Sequence, residues 1–267
     1  MTTFPLALTD SATMLRLNLR RMRRYPSLTF FIAVIPIVFL LLFVYVLGGT
    51  LGAGLGGPTG GRADYVAYVI PGILLVTVAG AGQGTAISVA MDMTGGIIAR
   101  FRTMAVARAS VLAGHILGSV IQTMLALALV IGVAVLMGFR PTTGPAEWLA
   151  AAGLLALTSF AISWLTVALG MVSDSVETAS NLPMPLVLLP FFGSGFVPTE
   201  SMPDVLRWFA ENQPFTPIIE TVRGLLLGSA IGDAGALAVG WCVVITVGGY
   251  VWATKLYDRN PAAPTTS

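Results

Sequence analysis

Apolar residues along this chain are gathered into six long uncharged stretches, and short polar segments between them hold nearly all of the charge. The uncharged stretches cover residues 25–61, 65–91, 109–139, 148–173, 178–199 and 234–254. Each exceeds the roughly 18 residues that mark a candidate transmembrane helix. We therefore predict an all-α membrane protein with six transmembrane helices near 28–47, 66–91, 112–137, 148–172, 179–197 and 234–254.

The composition of the chain agrees with this pattern. Hydrophobic residues make up 56% of the sequence and charged residues 10%, with a mean hydropathy of +0.87, whereas soluble domains carry about 25% charged residues. The net charge of +2 is too small to indicate a nucleic-acid partner. A single cysteine, Cys242, excludes an internal disulfide or a cysteine-ligated metal site. A single histidine, His115, argues against a histidine metal site or a catalytic dyad.

The distribution of lysine and arginine predicts the orientation in the membrane. With the N-terminus inside, ten basic residues lie in cytoplasmic segments and four lie outside, the latter being Arg62, Arg140, Arg207 and Arg223. The excess of positive charge on cytoplasmic segments favours this arrangement. The first apolar run begins only after Tyr25 and is too long for a signal peptide, so we interpret it as a retained span. We expect a multi-pass protein of the cell inner membrane with both termini in the cytoplasm.

Proline and scattered polar residues occur within the predicted spans. The fifth span holds Pro183, Pro185 and Pro190, which predicts a kinked helix whose bend serves packing, since neighbouring groups re-satisfy freed backbone carbonyls in a membrane. The remaining polar side chains are amides and hydroxyls that we interpret as interhelical hydrogen-bond partners rather than catalysts. They are Gln83, Ser88, Gln122, Ser159, Ser163 and Asn181.

The segment before the first span predicts a basic amphipathic helix over residues 12–24. Leu15, Leu19 and Met22 recur at i, i+4 and i+7, and arginines that include Arg16 and Arg20 fill the other faces. This pattern is typical of an interface helix on the membrane surface. Two interpretations stay open, a topology signal with arginines on lipid phosphate and a contact with a cytoplasmic partner.

The glycine-rich segment at 48–61 satisfies G-x-G-x-x-G through Gly52, Gly54 and Gly57. That motif binds nucleotides only between a strand and a helix of a βαβ unit. Here it follows a membrane span on the outer side. We therefore interpret the segment as a flexible loop.

The cytoplasmic segment at 92–108 predicts a short amphipathic helix between the second and third spans. Gly95 and Gly96 can end the preceding helix, and apolar residues such as Phe101 and Met104 alternate with Arg100, Arg102 and Arg108. An ordinary positive-inside loop does not need the apolar residues. A docking element for a soluble partner explains them better.

The outer segment at 198–228 predicts two helices separated by Pro214 and ended by Gly228. The apolar part of the second helix, 218–227, covers only about 15 Å at 1.5 Å per residue, too short to span. A hairpin that dips into the outer leaflet fits, because backbone groups there must be paired internally. Glu220 and Arg223, spaced i and i+3, are expected to pair, either to guard a substrate exit or to neutralise two charges near lipid.

The order of these segments resembles the permease subunits of ABC type-2 exporters, particularly the daunorubicin-resistance-like group. The resemblance covers nearly the whole chain, through the basic helix before the first span, the region 71–118 and the region 197–228. Within 92–104 the matching positions are Asp92, Gly95 or Gly96, Arg100, Phe101, Arg102 and Met104. Within 197–228 they are Pro203, Asn212, Pro214, Arg223 and Gly228, and Gln213 departs from the usual adjacent Asn-Pro.

The resemblance implies export driven by ATP that a separate chain hydrolyses. A phosphate-binding loop needs a lysine before Ser or Thr, whereas Lys255, the only lysine here, precedes Leu256. We expect no enzyme activity and no cofactor on this chain, and ATP with Mg on a partner ABC ATPase. A second permease chain, identical or not, would complete the transporter, with membrane lipid around it.

The resemblance also assigns roles to two sets of residues in a single permease domain at 1–267. ATPase coupling is assigned to Arg16, Arg20, Asp92, Gly95, Gly96, Arg100, Phe101, Arg102 and Met104. An external gate is assigned to Pro203, Asn212, Pro214, Glu220 and Arg223. The expected cargo is a hydrophobic or amphipathic small molecule or lipid. The alternative is an ion-coupled secondary transporter without an ATPase, although such proteins usually keep ionisable groups inside their helices.

Overall fold

The computed structural model describes residues 26–49, 62–95 and 108–259, and the regular structure in these ranges is helical throughout. Helix α1 spans Pro26–Leu41 and continues as a π-helical stretch at Leu42–Leu47. Three long helices follow, α2 at Arg62–Thr94, α3 at Arg108–Leu136 and α4 at Pro145–Val172.

Short helices occupy the region between α4 and the last long helix. They are α5 at Val176–Asn181, α6 at Met184–Leu188, a 3₁₀ turn at Leu189–Phe192, another at Thr199–Ser201, α7 at Asp204–Asn212 and α8 at Phe215–Leu227. The last helix, α9, spans Ala234–Arg259. We call α5, α6 and the 3₁₀ turn at Leu189–Phe192 together the broken helix.

Four helices in the described ranges are long and apolar enough to cross a membrane, namely α2, α3, α4 and α9, and Ile32–Leu47 of α1 forms a shorter apolar helix. These five elements confirm the helices predicted from the uncharged stretches to within a few residues. The predictions succeed because charged residues mark the ends of each uncharged stretch. The total of six crossings stays a prediction.

The fifth predicted helix is wrong as a single kinked element over 179–197. It begins earlier, breaks after Asn181 and ends at Phe192. The three prolines explain the break, because each lacks the N–H that would continue the hydrogen-bond ladder. The last bond of α5 runs from Leu182 N to Thr178 O, and the chain restarts with Leu186 N donating to Pro183 O, both at 3.0 Å. The Ser175 hydroxyl caps the start of α5 by accepting from Thr178 N.

Helix α2 lies at the centre of the bundle. It packs against α1, α3, α4, α8 and the broken helix, and every residue from Pro71 to Ala79 is buried, so this stretch is covered on all sides. Helix α9 lies at the periphery on α4 and α8. On its outward face Leu237, Val243 and Val247 are more than half exposed, as suits a surface that meets lipid.

Glycines allow the backbones of neighbouring helices to come into direct contact. A Cβ on Gly170 of α4 would lie 2.5 Å from Ala86 O of α2, and one on Gly249 of α9 would lie 2.7 Å from Leu165 N of α4. Small residues at membrane-helix interfaces permit this contact. We call the end of the bundle where α2 begins and α3 ends the upper end, and the opposite end the lower end.

Candidate functional site

A cavity of about 420 Å³ lies inside the bundle, between α1, α2, α3 and the broken helix. Its lining residues are Ile32, Ile35, Pro36, Val76, Gly80, Gln83, Gly84, Thr85, Ile87, Ser88, Met91, His115, Gly118, Ser119, Gln122 and Val187. Ile35 and Met91 are 61% and 47% exposed. The cavity therefore reaches the surface of the bundle, where exposed apolar side chains border it.

One helical face of α2 and one of α3 form the polar wall of the cavity. The α2 positions 76, 80, 83, 84, 87, 88 and 91 repeat at the spacing of one helix face, as do the α3 positions 115, 118, 119 and 122. Small glycines on both faces leave room, and amides, hydroxyls and an imidazole supply hydrogen-bonding groups. The wall from α1 and the broken helix is apolar.

Buried hydroxyls in the polar wall and behind it connect three helices. Thr85 Oγ1 and Ser119 Oγ lie 2.6 Å apart, and Ser163 Oγ of α4 donates to Ser119 Oγ at 3.1 Å. In an apolar interior, each of these groups would be costly to leave unpaired. The prediction that polar residues in the spans act as interhelical hydrogen-bond partners is confirmed for Ser163.

A hydrogen bond from Gln83 joins the polar wall of α2 to the break in the broken helix. Its Nε2 donates to Ser180 O at 2.5 Å. Ser180 lies in the last turn of α5, where the ladder stops short of Pro183. The side chain therefore satisfies a carbonyl that the break would leave without a helical partner.

The lower end of the cavity is bounded by a carboxylate–imidazole contact between α2 and α3. Asp92 Oδ2 and His115 Nε2 are 3.2 Å apart, with 14% and 12% of their side chains exposed. Asp92 therefore bridges two helices from within the bundle. Gly95 follows in the turn that ends α2, donating its N–H to Met91 O at 2.9 Å, which confirms the helix end predicted there.

The other residues assigned to ATPase coupling lie outside the described residues. They are Arg16, Arg20, Gly96, Arg100, Phe101, Arg102 and Met104. The predicted interface helix at 12–24, most of the coupling segment at 92–108 and most of the glycine-rich loop at 48–61 also fall there.

Four phenylalanines close the bundle above the cavity. Phe191 and Phe196 are stacked with their centroids 4.6 Å apart, and Phe43 of α1 lies 4.7 Å from Phe196. Phe39 meets the edge of Phe191 at 5.5 Å. Beside them, a Cβ on Gly72 of α2 would lie 2.8 Å from Gly195 O. We call this packing of Phe39, Phe43, Phe191 and Phe196 the phenylalanine plug.

The predicted outer hairpin corresponds to α7 and α8 at the upper end. Pro203 precedes α7, which ends at Asn212, Pro214 precedes α8, and Gly228 ends α8 in the left-handed conformation with φ 75°. Helix α8 is buried against α2, α4 and α9. Gln213, which departs from the adjacent Asn-Pro of the resemblance, is buried and donates through Nε2 to Leu189 O at 3.1 Å.

The expected pair between Glu220 and Arg223 is wrong. Among the described residues Glu220 makes no ion pair with Arg223 and is exposed. Arg223 turns into the bundle instead, where its Nη2 donates to Ser194 O at 2.5 Å and to Tyr68 O at 3.3 Å. Its guanidinium carbon lies 4.0 Å from the centroid of the Tyr68 ring, a cation–π contact. A partner 155 residues away is outside the reach of an i, i+3 rule.

The lining of the cavity suits the binding of a ligand. Within the described part of the chain, no cluster of three or more His, Cys, Asp or Glu residues could hold a metal ion. The lining offers apolar area with a few orienting polar groups, as ligand pockets commonly do. The sequence interpretation did not recognise this site. Small and polar residues repeated on one face of an otherwise apolar α2 are the signal that could have found it.

Comparison with known proteins identifies the family. The ABC-2 type transporter family profile matches residues 10–227. The chain is 30% identical over 210 residues to the daunorubicin resistance ABC transporter permease protein DrrB1 of Streptomyces coeruleorubidus, covering 78% of this chain and 71% of that protein. It is 26% identical over 223 residues to the probable doxorubicin resistance ABC transporter permease protein DrrC of Mycobacterium tuberculosis, covering 80% and 77%. Together with the bundle of apolar helices, these matches show that the chain belongs to the ABC-2 type transporter family.

Proposed function

We propose that this chain is the membrane-spanning permease subunit of an ATP-driven ABC exporter, and that its cargo is a hydrophobic or amphipathic small molecule or lipid. The observation that carries the proposal is the cavity of about 420 Å³, which is lined largely by the membrane-length helices α2 and α3 and reaches an apolar surface. A molecule dissolved in the membrane could reach it without crossing water. The names of the two relatives, both resistance permeases, support a drug-like cargo.

The transporter assembles from more than this chain in our proposal. Two permease chains, identical or not, combine with ABC ATPase subunits that bind ATP and Mg. The protein lies in the cell inner membrane with six crossings, both termini in the cytoplasm and the interface helix at 12–24 on the inner surface. The upper end of the bundle then faces outward, where α7 and α8 form a re-entrant hairpin.

Gly80→Leu tests this function directly, because the leucine side chain would block the cavity. A Cβ at Gly80 meets nothing within 4 Å, so a larger side chain enters the cavity without a backbone clash. We expect doxorubicin efflux to fall to background in cells that express the permease with its ATPase, while the amount of assembled transporter stays unchanged.

The matched control for this experiment is Gly132→Leu on α3. That glycine is exposed, also meets nothing within 4 Å and does not line the cavity. Efflux should continue at the wild-type rate. Wild-type efflux by Gly80→Leu would contradict the assignment of the cavity.

Coupling to the ATPase belongs, in our proposal, to the segment around Arg100 and Arg102 together with the basic helix that carries Arg16 and Arg20. Closure of the ATPase pair would push on these basic and apolar surfaces and tilt the spans. Substituting Glu at both Arg100 and Arg102 should leave ATPase activity intact but unlinked from export. Normal stimulation of ATP hydrolysis by cargo in that variant would refute the assignment.

An external gate forms the other end of the proposed path. Pro203, Asn212 and Pro214 bound the helices of the hairpin, and Arg223 fastens α8 to α2 and to the chain after the broken helix. Glu220 faces outward from the same helix. Their arrangement beside the phenylalanine plug supports a closed upper end that must open when cargo leaves.

An ion-coupled secondary transporter is the second candidate, and the Asp92–His115 pair beside the cavity is the observation that favours it. The two functions differ in their need for the ATPase. Removing the phosphate-binding lysine of the partner ATPase should abolish efflux. Efflux that persists and follows the proton gradient would support the alternative.

A further inference from the structure

Two glutamine side chains hold the broken helix, one near each end. Gln83 of α2 donates to Ser180 O at 2.5 Å beside the break after α5, and Gln213 donates to Leu189 O at 3.1 Å where α6 passes into the 3₁₀ turn. Both acceptors lie where regular α-helical pairing is interrupted. The broken helix is therefore fixed to its surroundings by side chains, at points where its α-helical ladder is interrupted.

The broken helix separates the cavity from the upper end. Val187 in α6 lines the cavity. Phe191, in the 3₁₀ turn, stacks on Phe196 in the phenylalanine plug, and Gly195 beyond it rests on Gly72 of α2. A displacement of this element would therefore open the cavity towards the upper end and disassemble the plug in the same movement.

Three short helical segments joined at proline-disrupted turns are suited to such a displacement. Each segment has only four to six residues, and few backbone bonds must break for one to swing relative to the next. Motions of this kind use a few residues at element ends as hinges. Leu182 and Pro183, between α5 and α6, occupy that position.

Gln83 belongs both to the cavity wall and to the attachment of the broken helix. We propose that cargo in the cavity draws the Gln83 amide away from Ser180 and so releases the broken helix, which makes Gln83 the positioning residue that links cargo binding to opening. This inference rests on the proposed function of the cavity and specifies how cargo binding at that site leads to opening.

The mechanism restricts the chemistry of the cargo. An amide N–H drawn away from Ser180 O inside the bundle loses a hydrogen bond that only another acceptor replaces, and cargo draws it away by supplying that acceptor. Cargo that opens the gate must therefore carry an accepting oxygen or nitrogen on its apolar body. A hydrocarbon of the same shape would fill the cavity and leave Gln83 on Ser180.

The attachment is tested first without cargo. We compare wild type, Gln83→Leu and Ser88→Ala in the intact transporter with its ATPase, in lipid nanodiscs, by hydrogen exchange of backbone amides in residues 176–192. Ser88 lines the same face of α2 and makes no hydrogen bond to the broken helix. Gln83→Leu should accelerate exchange there roughly tenfold, as loss of one hydrogen bond predicts, and Ser88→Ala should match wild type. Equal exchange in all three overturns the attachment.

Matched probes test the link to cargo. Anthraquinone and anthracene share one flat tricyclic shape, but only anthraquinone carries carbonyl acceptors. Binding of each radiolabelled probe is measured beside hydrogen exchange of residues 176–192. Anthraquinone should bind and accelerate exchange in wild type but add nothing in Gln83→Leu, and anthracene should bind without accelerating it.

The outcomes separate this inference from the proposed function. Anthraquinone that binds without changing exchange, or two probes with equal effects, overturns the role of Gln83 while the cavity remains a binding site. Failure of both probes to bind to wild type, or binding to wild type that Gly80→Leu leaves unchanged, counts against the cavity as a site for apolar cargo. The cargo-free comparison then still decides whether Gln83 holds the broken helix.

Discussion

Neighbouring glycines on α9 differ in what they face, which makes the packing of α9 on α4 testable at single residues. A Cβ on Gly249 would lie 2.7 Å from Leu165 N and 2.8 Å from the Trp164 carbonyl carbon, both backbone atoms of α4. A Cβ on Gly248 meets nothing within 4 Å. The same methyl group therefore causes overlap at one position and enters open space at the next.

We predict that Gly249→Ala destabilises the protein and Gly248→Ala does not. Backbone atoms cannot rotate out of the way, so the two helices must separate, at a cost of about 1–3 kcal/mol. Thermal unfolding in detergent, followed by tryptophan fluorescence, should show a lower midpoint for Gly249→Ala alone. Equal midpoints would mean that α9 does not pack on α4 at this distance.

Arg223 gives a second prediction at the residue scale. Its guanidinium satisfies two carbonyls and covers the Tyr68 ring. In Arg223→Met those carbonyls lose their donor inside the bundle, which should lower the free energy of unfolding by about 1–3 kcal/mol. Chemical unfolding of the purified protein measures the loss.

The control for Arg223 is Arg207→Met on α7. Arg207 is exposed and pairs with Glu211 at i, i+4 across 2.7 Å, and the hydrogen bond with Glu211 raises the pKa of Arg207. Exposed pairs of this kind contribute little to stability, so this variant should unfold like wild type. A comparable loss in both variants would contradict the different roles of the two arginines.

At the scale of helices, Asp92 and His115 join α2 to α3 beside the lower end of the cavity. The family resemblance assigns Asp92 to ATPase coupling, whereas the structure pairs it with His115. The two roles predict different results for an exchange of the partners. Asp92→His alone or His115→Asp alone places like groups together and should weaken the bridge.

The double variant Asp92→His with His115→Asp should restore both thermal stability and ATP-dependent doxorubicin efflux if Asp92 acts through His115. Thermal unfolding and efflux are measured for the two single variants and the double variant. Restored stability with efflux still absent would instead show that the carboxylate is needed at position 92, in line with a contact to the ATPase.

The success of sequence prediction differed between elements for physical reasons. The long helices were predictable because charged residues such as Arg62, Asp92 and Lys255 are expensive in lipid and therefore mark helix ends. The broken helix was missed because prolines are often absorbed as kinks in membrane helices. Whether a turn bends or breaks depends on neighbours such as Gln83, which is 97 residues from Ser180 along the chain.

The candidate site was less predictable than the fold for the same reason. Gln83, Ser119 and Ser163 could be identified as hydrogen-bond formers from their polarity. Which helices they join depends on which helices are neighbours in the bundle. Arg223 was assigned to its sequence neighbour Glu220 and found its partners on α2 and after the broken helix. Rules based on the spacing of residues along a helix cannot predict these long-range contacts.

At the scale of the whole molecule, the number of crossings depends on whether the broken helix traverses the membrane. Its 17 residues from Val176 to Phe192 would cover about 26 Å as an ideal α-helix, close to the thickness of a hydrocarbon core of about 30 Å. If it crosses and the α7–α8 hairpin re-enters, the two ends of α4 lie on opposite sides and α7 lies on the side where α4 begins.

Cysteine labelling distinguishes these arrangements because the native Cys242 is fully buried. We introduce one cysteine at a time through Ala146→Cys at the start of α4, Asp174→Cys after α4 and Val205→Cys on α7, all exposed positions. A membrane-impermeant maleimide applied to intact cells should label positions 146 and 205, and should label 174 only after the cells are opened. If positions 174 and 205 are labelled under the same condition, both before or both only after the cells are opened, the broken helix does not cross. Labelling of 174 alone from outside would reverse the orientation that the basic residues predict, and would place the Asp92–His115 end of the cavity, with its proposed coupling segment, outside the cell, where no ATPase could reach it.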